Sequence, residues 1–148
     1  MRHFYLYLIK EEFASHYFGR EFKLFQLFQD FLWTSRDDER YDTLKQQVEY
    51  VSKQIPVDYL DELISLYLNH QYNYQHIAPL HRIHLRSNRG KASLILKPRN
   101  VEITATGSFE SETVFFEILR KFDPCFLAMD FQHEQYGWLN PIKERKFV

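Results

Sequence analysis

Glycine is scarce in this chain of 148 residues: Gly19, Gly90, Gly107 and Gly137 are its only examples. None lies within six residues of another, so no glycine-rich loop for cradling phosphate can be assembled. Cysteine is scarcer still. Cys125 alone excludes an internal disulfide and suits a reducing cytosol. It stands in the apolar run CFLAMDF, where a thiol is ordinarily an inert core group. Ser108 is followed by Phe109 and Glu110, so the glycine-flanked elbow of a serine nucleophile is missing too. No run approaches the ~18 apolar residues of a membrane helix. The N-terminal RHFYLYLIK meets two glutamates at once and has no small-residue cleavage site, so it does not read as a secretory signal. These absences predict a cytoplasmic protein with no visible catalytic residue and no membrane partner.

Acidic side chains are missing between Glu62 and Glu102. Residues 63–101 carry Arg82, Arg86, Arg89, Lys91, Lys97 and Arg99, a net +6, between flanks of −4 and −3. A basic hairpin with Tyr72 and Tyr74 nearby defines one functional alternative, a nucleic-acid-binding regulator acting through residues 82–99. The acidic flanks and the near-balance of the whole chain, 19 basic against 20 acidic residues, argue against it. The same gap bears on metals. His70, His76, His81 and His84 cluster, but no acid or cysteine accompanies them, and on a strand His81 and His84 point to opposite faces. His133-Glu134 has no second histidine at the right spacing. No metal site is expected.

What the chain has in abundance is aromatic surface, 18% of its residues. Its length suits one domain, residues 1–148, with a sizeable core. The organising stretch is 8–33, LIKEEFASHYFGREFKLFQLFQDFLW. At about 100° per residue, Phe13, Tyr17, Leu24, Phe28 and Phe31 form one stripe, and Phe18, Phe22, Phe25 and Leu32 a second. With Leu27, the apolar arc covers roughly 220°, where one core-facing stripe needs about 100°. Either the helix is sandwiched or one stripe faces a partner. Gly19 allows a different division, in which a first short helix ends there in a left-handed cap. Phe13 and Tyr17 remain one turn apart in both cases.

Residues 2–9 read as a near-continuous apolar strand in the interior of a sheet. Tyr41, Leu44, Val48, Val51 and Ile55 mark an amphipathic helix with Gln47 at the edge of its stripe. Pro56 opens another, with Leu60, Leu63, Ile64 and Tyr67 inward. Residues 80–85, 92–96 and 101–106 read as a meander of strands, 111–122 as a helix and 125–131 as a second interior strand. The tail YGWLNPIKERKFV reads as irregular but docked through Trp138 and Leu139. The fold class expected is α+β, a mixed, mostly antiparallel sheet of about five strands with about four helices. A domain with surplus aromatic surface and no visible catalytic equipment favours a binding module.

Several long strings resemble the SirA family of sporulation inhibitors of replication from endospore-forming bacilli. They are YLIKEEFASHYFGREF, LFQDF and Trp33-Thr34-Ser35 near the N-terminus, ETVFFEILRKF in the last helix, and PCFLAMDF and YGWLNPIKERKFV at the C-terminus. The resemblance spans the chain and is weakest between about residues 37 and 96. It implies a small α/β protein that binds the N-terminal domain, domain I, of the replication initiator DnaA and blocks new rounds of initiation, without catalysis or cofactor. In that family the partner-contacting residues are an aromatic pair on the first helix and a glutamine on the next. Here these are Phe13, Tyr17 and Gln47, with Gln46 adjacent to the last.

Overall fold

The computed structural model describes residues 1–140. Strand β1 (Arg2–Leu8) leads into helices α1 (Glu11–His16), α2 (Glu21–Trp33), α3 (Tyr41–Val51) and α4 (Val57–Leu68). Strands β2 (Gln75–Ile77), β3 (Leu80–His84), β4 (Gly90–Leu96) and β5 (Val101–Gly107) follow, with a 3-10 turn at Arg86–Asn88. Helix α5 (Glu110–Phe122) and strands β6 (Phe126–Asp130) and β7 (Gln135–Trp138) complete the described residues. All seven strands form one sheet in the order β2-β3-β4-β5-β1-β6-β7. Every neighbouring pair is antiparallel.

The α+β class is as the sequence predicts. The mostly antiparallel sheet expected is antiparallel throughout, and among the described residues there are seven strands rather than about five and five helices rather than about four. The two unexpected strands, β2 and β7, are the edges. Short edge strands bury little, so they carry no clean alternation for a sequence to display. The expected irregular tail is corrected accordingly: Tyr136, Gly137 and Trp138 belong to β7. Trp138 is docked, its indole N–H donating to Glu21 Oε2 at 3.2 Å. Residues 141–148 of the expected tail lie outside the described residues.

Burial follows from how the helices cover the sheet. Tyr7 of β1 stacks on Phe28 of α2 at 4.2 Å, while Phe4 meets Phe116 of α5 edge-on at 5.2 Å. Neighbouring residues on a strand point to opposite faces, so β1 is covered on both sides. β6, beside it, is buried at all five positions. That is why residues 2–9 and 125–131 are continuously apolar, and both lie inside the sheet as expected. Strands β3, β4 and β5 instead alternate between buried and open, since α4 and α5 cover only one of their faces. Cys125 is buried in this core.

The organising stretch is two helices. Gly19 adopts a left-handed φ of +82° between α1 and α2, the break that glycine allows at least cost. The stripes therefore do not run through it. On α2 the buried residues are Leu24, Phe25 and Phe28, three and four apart on one face. Phe22, which periodicity puts in the second stripe with Phe25, is 45% exposed, since it lies about 120° round α2 from Phe28 and off the face that Leu24, Phe25 and Phe28 bury. Trp33 and Leu32 also face out.

Candidate functional site

Helix α1 is short and owes its position to its neighbours. The Lys10 backbone N–H donates to the Val51 carbonyl at the end of α3 at 2.9 Å, and Lys53 N–H donates to Leu8 at 2.7 Å. Ala14 is fully buried beneath the helix. This docking sets α1 beside the C-terminal turn of α3, with Phe13 half-buried at the junction. Its ring meets the ring of Tyr50 edge-on, with centroids 5.1 Å apart. The Lys10 ammonium lies 5.2 Å from the centre of the Tyr50 ring, within cation–π range.

Tyr17 ends α1, its N–H donating to the Phe13 carbonyl at 2.9 Å. Its ring stands edge-on to His16 at 4.8 Å and lies 6.0 Å from the Arg20 guanidinium carbon. Arg20 is itself held by donation to the His16 carbonyl at 2.9 Å. Phe13 and Tyr17 are thus two half-buried aromatics one turn apart, with Lys10 over the neighbouring Tyr50 and Arg20 beside Tyr17.

Gln47 is exposed on α3, and so is Gln46. Helical geometry separates them. Taking the Tyr50 direction as zero, Gln47 lies about 60° toward the face buried by Val48 and Val51, and Gln46 about 40° away from it. Gln47 therefore occupies the shoulder between Tyr50 and the core, while Gln46 points to solvent. Tyr50 touches Phe13 and lies one turn along α3 from Gln47. Tyr17 touches His16 and Arg20 instead.

Sequence reading passed over Tyr50, which is 66% exposed. The signal was available: an aromatic outside the Tyr41, Leu44, Val48, Val51 stripe, one turn after Gln47. Lys10 and Arg20 gave no signal, because their place over the rings depends on how α1 docks.

A family model described as "Sporulation inhibitor of replication protein SirA" matches residues 2–143. A protein of the same name from Bacillus subtilis (strain 168) is 48% identical over 147 residues, covering 99% of each chain. The chain belongs to the SirA family.

The basic segment of this SirA-family chain meets in space the acids it lacks in sequence. Arg89 pairs with Glu110 at 3.0 Å, and Lys97 pairs with Glu102, which also faces His3. Arg99 donates to the carbonyls of Glu49 and Ser52, both at 3.2 Å. With Arg82 donating to Ser93 Oγ at 3.3 Å, four of the six cations are held within the fold, which weakens the nucleic-acid alternative. The histidines need a correction as well. His81 and His84 do lie on opposite faces of β3, but His81 pairs across the hairpin with His76, and Asp61 of α4 reaches both. The expected absence of an accompanying acid rested on neighbours in sequence, and Asp61 stands just before the acid-free window. Among the described residues, no helix is long and apolar enough to cross a membrane.

Proposed function

We propose that this chain inhibits the initiation of DNA replication during sporulation by binding domain I, the N-terminal domain, of the cytoplasmic initiator DnaA. Phe13 and Tyr17 are the anchors, and Gln47 is a polar contact at their border. The name of the 48% identical relative supports the inhibitory role. The observation that carries the binding surface is the support of Phe13 from behind by the exposed ring of Tyr50, one turn from Gln47. Half-exposed aromatics held rigidly on a scaffold dominate protein interfaces, because they bury large area at little cost in side-chain entropy. A glutamine on the shoulder supplies a directional hydrogen bond. The mechanism is occupancy: the inhibitor covers a surface that the initiator needs, and no bond is made or broken.

The test is affinity for isolated DnaA domain I, measured for the parent and for Phe13→Ala, Tyr17→Ala, Gln47→Ala and Gln46→Ala. Each aromatic truncation is expected to cost about 2 kcal/mol or more of binding, a thirty-fold loss or so. Both rings also pack partly on the core, so each truncation costs roughly 1–2 kcal/mol of stability and leaves the protein folded. Gln47→Ala weakens binding with stability unchanged within about 0.5 kcal/mol, and Gln46→Ala leaves both as they were. Parent-like binding by both aromatic variants overturns the proposed surface; a loss at Gln46 with none at Gln47 moves the polar contact by one residue. Contacts to six phosphates would give a log–log salt slope of about −5, whereas this interface predicts a shallow one.

A further inference from the structure

Away from Phe13 and Tyr17, three donors converge at the edge of the sheet. Asp61 projects from α4, and His76 and His81 are cross-strand partners on β2 and β3, so their side chains share one face. The imidazoles stack with centroids 4.4 Å apart and planes 12° from parallel. Both turn Nε2 to the same carboxylate: His81 Nε2 lies 2.8 Å from Asp61 Oδ1, and His76 Nε2 lies 3.0 Å from each oxygen. The candidate ligand atoms all fall within 4.8 Å of one another. Donors held about 2.0–2.2 Å from a tetrahedral zinc stand roughly 3.3 Å apart, so small side-chain adjustments suffice to enclose an ion.

The surroundings suit a ligand set. His81 is fully buried, and its Nδ1 lies 2.6 Å from the Tyr74 hydroxyl. A carboxylate only accepts, so His81 donates Nε2–H to Asp61 and its Nδ1 accepts from the Tyr74 hydroxyl. An ion entering between Nε2 and Asp61 takes the place of that proton, and the ring then donates Nδ1–H to the Tyr74 oxygen, an outer-shell contact that orients the imidazole. The His76 side chain remains partly open, which gives an ion a way in.

We propose that Asp61, His76 and His81 form a binding site for a divalent transition-metal ion, with zinc the best match. Two imidazoles and one carboxylate are a borderline-soft set that suits zinc over calcium or magnesium. Three protein donors leave a fourth position for water. The ion acts as a staple. It ties α4 to the edge hairpin of β2 and β3, which otherwise has one short, exposed outer strand.

The probe is zinc alone, added to the metal-free full-length protein. Calorimetry is expected to show one equivalent bound. The thermal midpoint should rise by about 5 °C when free zinc is a hundred-fold above its dissociation constant. His76→Ala and Asp61→Asn should each lower zinc affinity at least tenfold while keeping the parent's far-ultraviolet dichroism. A second measurement needs no variant: in the parent, zinc should shift the Nε2 nitrogen resonances of His76 and His81, and cobalt should give the strong visible bands of a four-coordinate site. No binding at micromolar zinc overturns the proposal. So does affinity unchanged in both variants, or zinc that perturbs other histidines and leaves these two alone.

Discussion

The rings of Phe13 and Tyr50 meet edge-on at 5.1 Å, joining residues thirty-seven positions apart in the chain. Phe13 cannot move far without losing that contact, so its ring is held in one orientation. Tyr50 itself is 66% exposed and carries little of the core. Tyr50→Ala should therefore leave the thermal midpoint nearly unchanged, a loss of about 0.5 kcal/mol. Binding to DnaA domain I should weaken by about 1–2 kcal/mol through a less ordered Phe13 and lost contact area. Full-strength binding would mean that Phe13 needs no support.

The two phenylalanines of α2 that look alike in sequence should behave differently. Phe28 is 1% exposed and stacks on Tyr7, whereas Phe22 is 45% exposed. Phe28→Ala should cost about 3–5 kcal/mol in chemical denaturation, from lost burial and a cavity. Phe22→Ala should cost at most about 1 kcal/mol. Equal costs would return Phe22 to the core.

Gly107 and Gly19 offer a second contrast. Both have left-handed φ, +80° and +82°. A Cβ on Gly107 would fall 2.5 Å from the Arg89 carbonyl oxygen and 2.7 Å from Gly90 Cα, both backbone atoms with nowhere to go. A Cβ on Gly19 would meet nothing within 4 Å. Gly19→Ala should cost only the strain of its conformation, about 1–2 kcal/mol, and Gly107→Ala clearly more, with β4 and β5 forced apart. Urea denaturation of the two variants checks this; a smaller loss at Gly107 would contradict it.

Arg2 and Glu112 tie the first residue of β1 to the first turn of α5. The guanidinium donates to both carboxylate oxygens, at 2.5 and 2.8 Å, and Glu112 is 3% exposed. Glu112→Gln removes the charge but keeps the shape, leaving a cation against an amide. The Arg2 side chain is 20% exposed and can recover some hydration. The loss should be about 2 kcal/mol, below the 3–5 typical of a wholly buried broken pair. Thermal unfolding measures it, and no change would show the pair to be dispensable.

Much of this protein follows from local pattern. Continuous apolar character marked β1 and β6 as interior strands, because a strand covered on both faces has no polar side to show. Spacing by three and four marked α3, α4 and α5, because each buries a single face. Scarce glycine and one cysteine excluded phosphate loops and disulfides outright. The resemblance, carried by long strings, pointed to Phe13, Tyr17 and Gln47.

Tertiary structure decided what depends on phase and on distant partners. The left-handed turn at Gly19 separates α1 from α2, and packing on the sheet selects the Leu24, Phe25 and Phe28 face of α2 for the core, leaving Phe22, about 120° round the helix from Phe28, in water. Tyr50 meets Phe13 only because α1 docks on the end of α3 through two backbone hydrogen bonds. Asp61 meets His76 and His81 because α4 crosses the edge hairpin, although the segment holding those histidines contains no acid. Side-chain period is a property of one element; the surface on which two elements meet depends on their packing, and packing is set by the whole core at once.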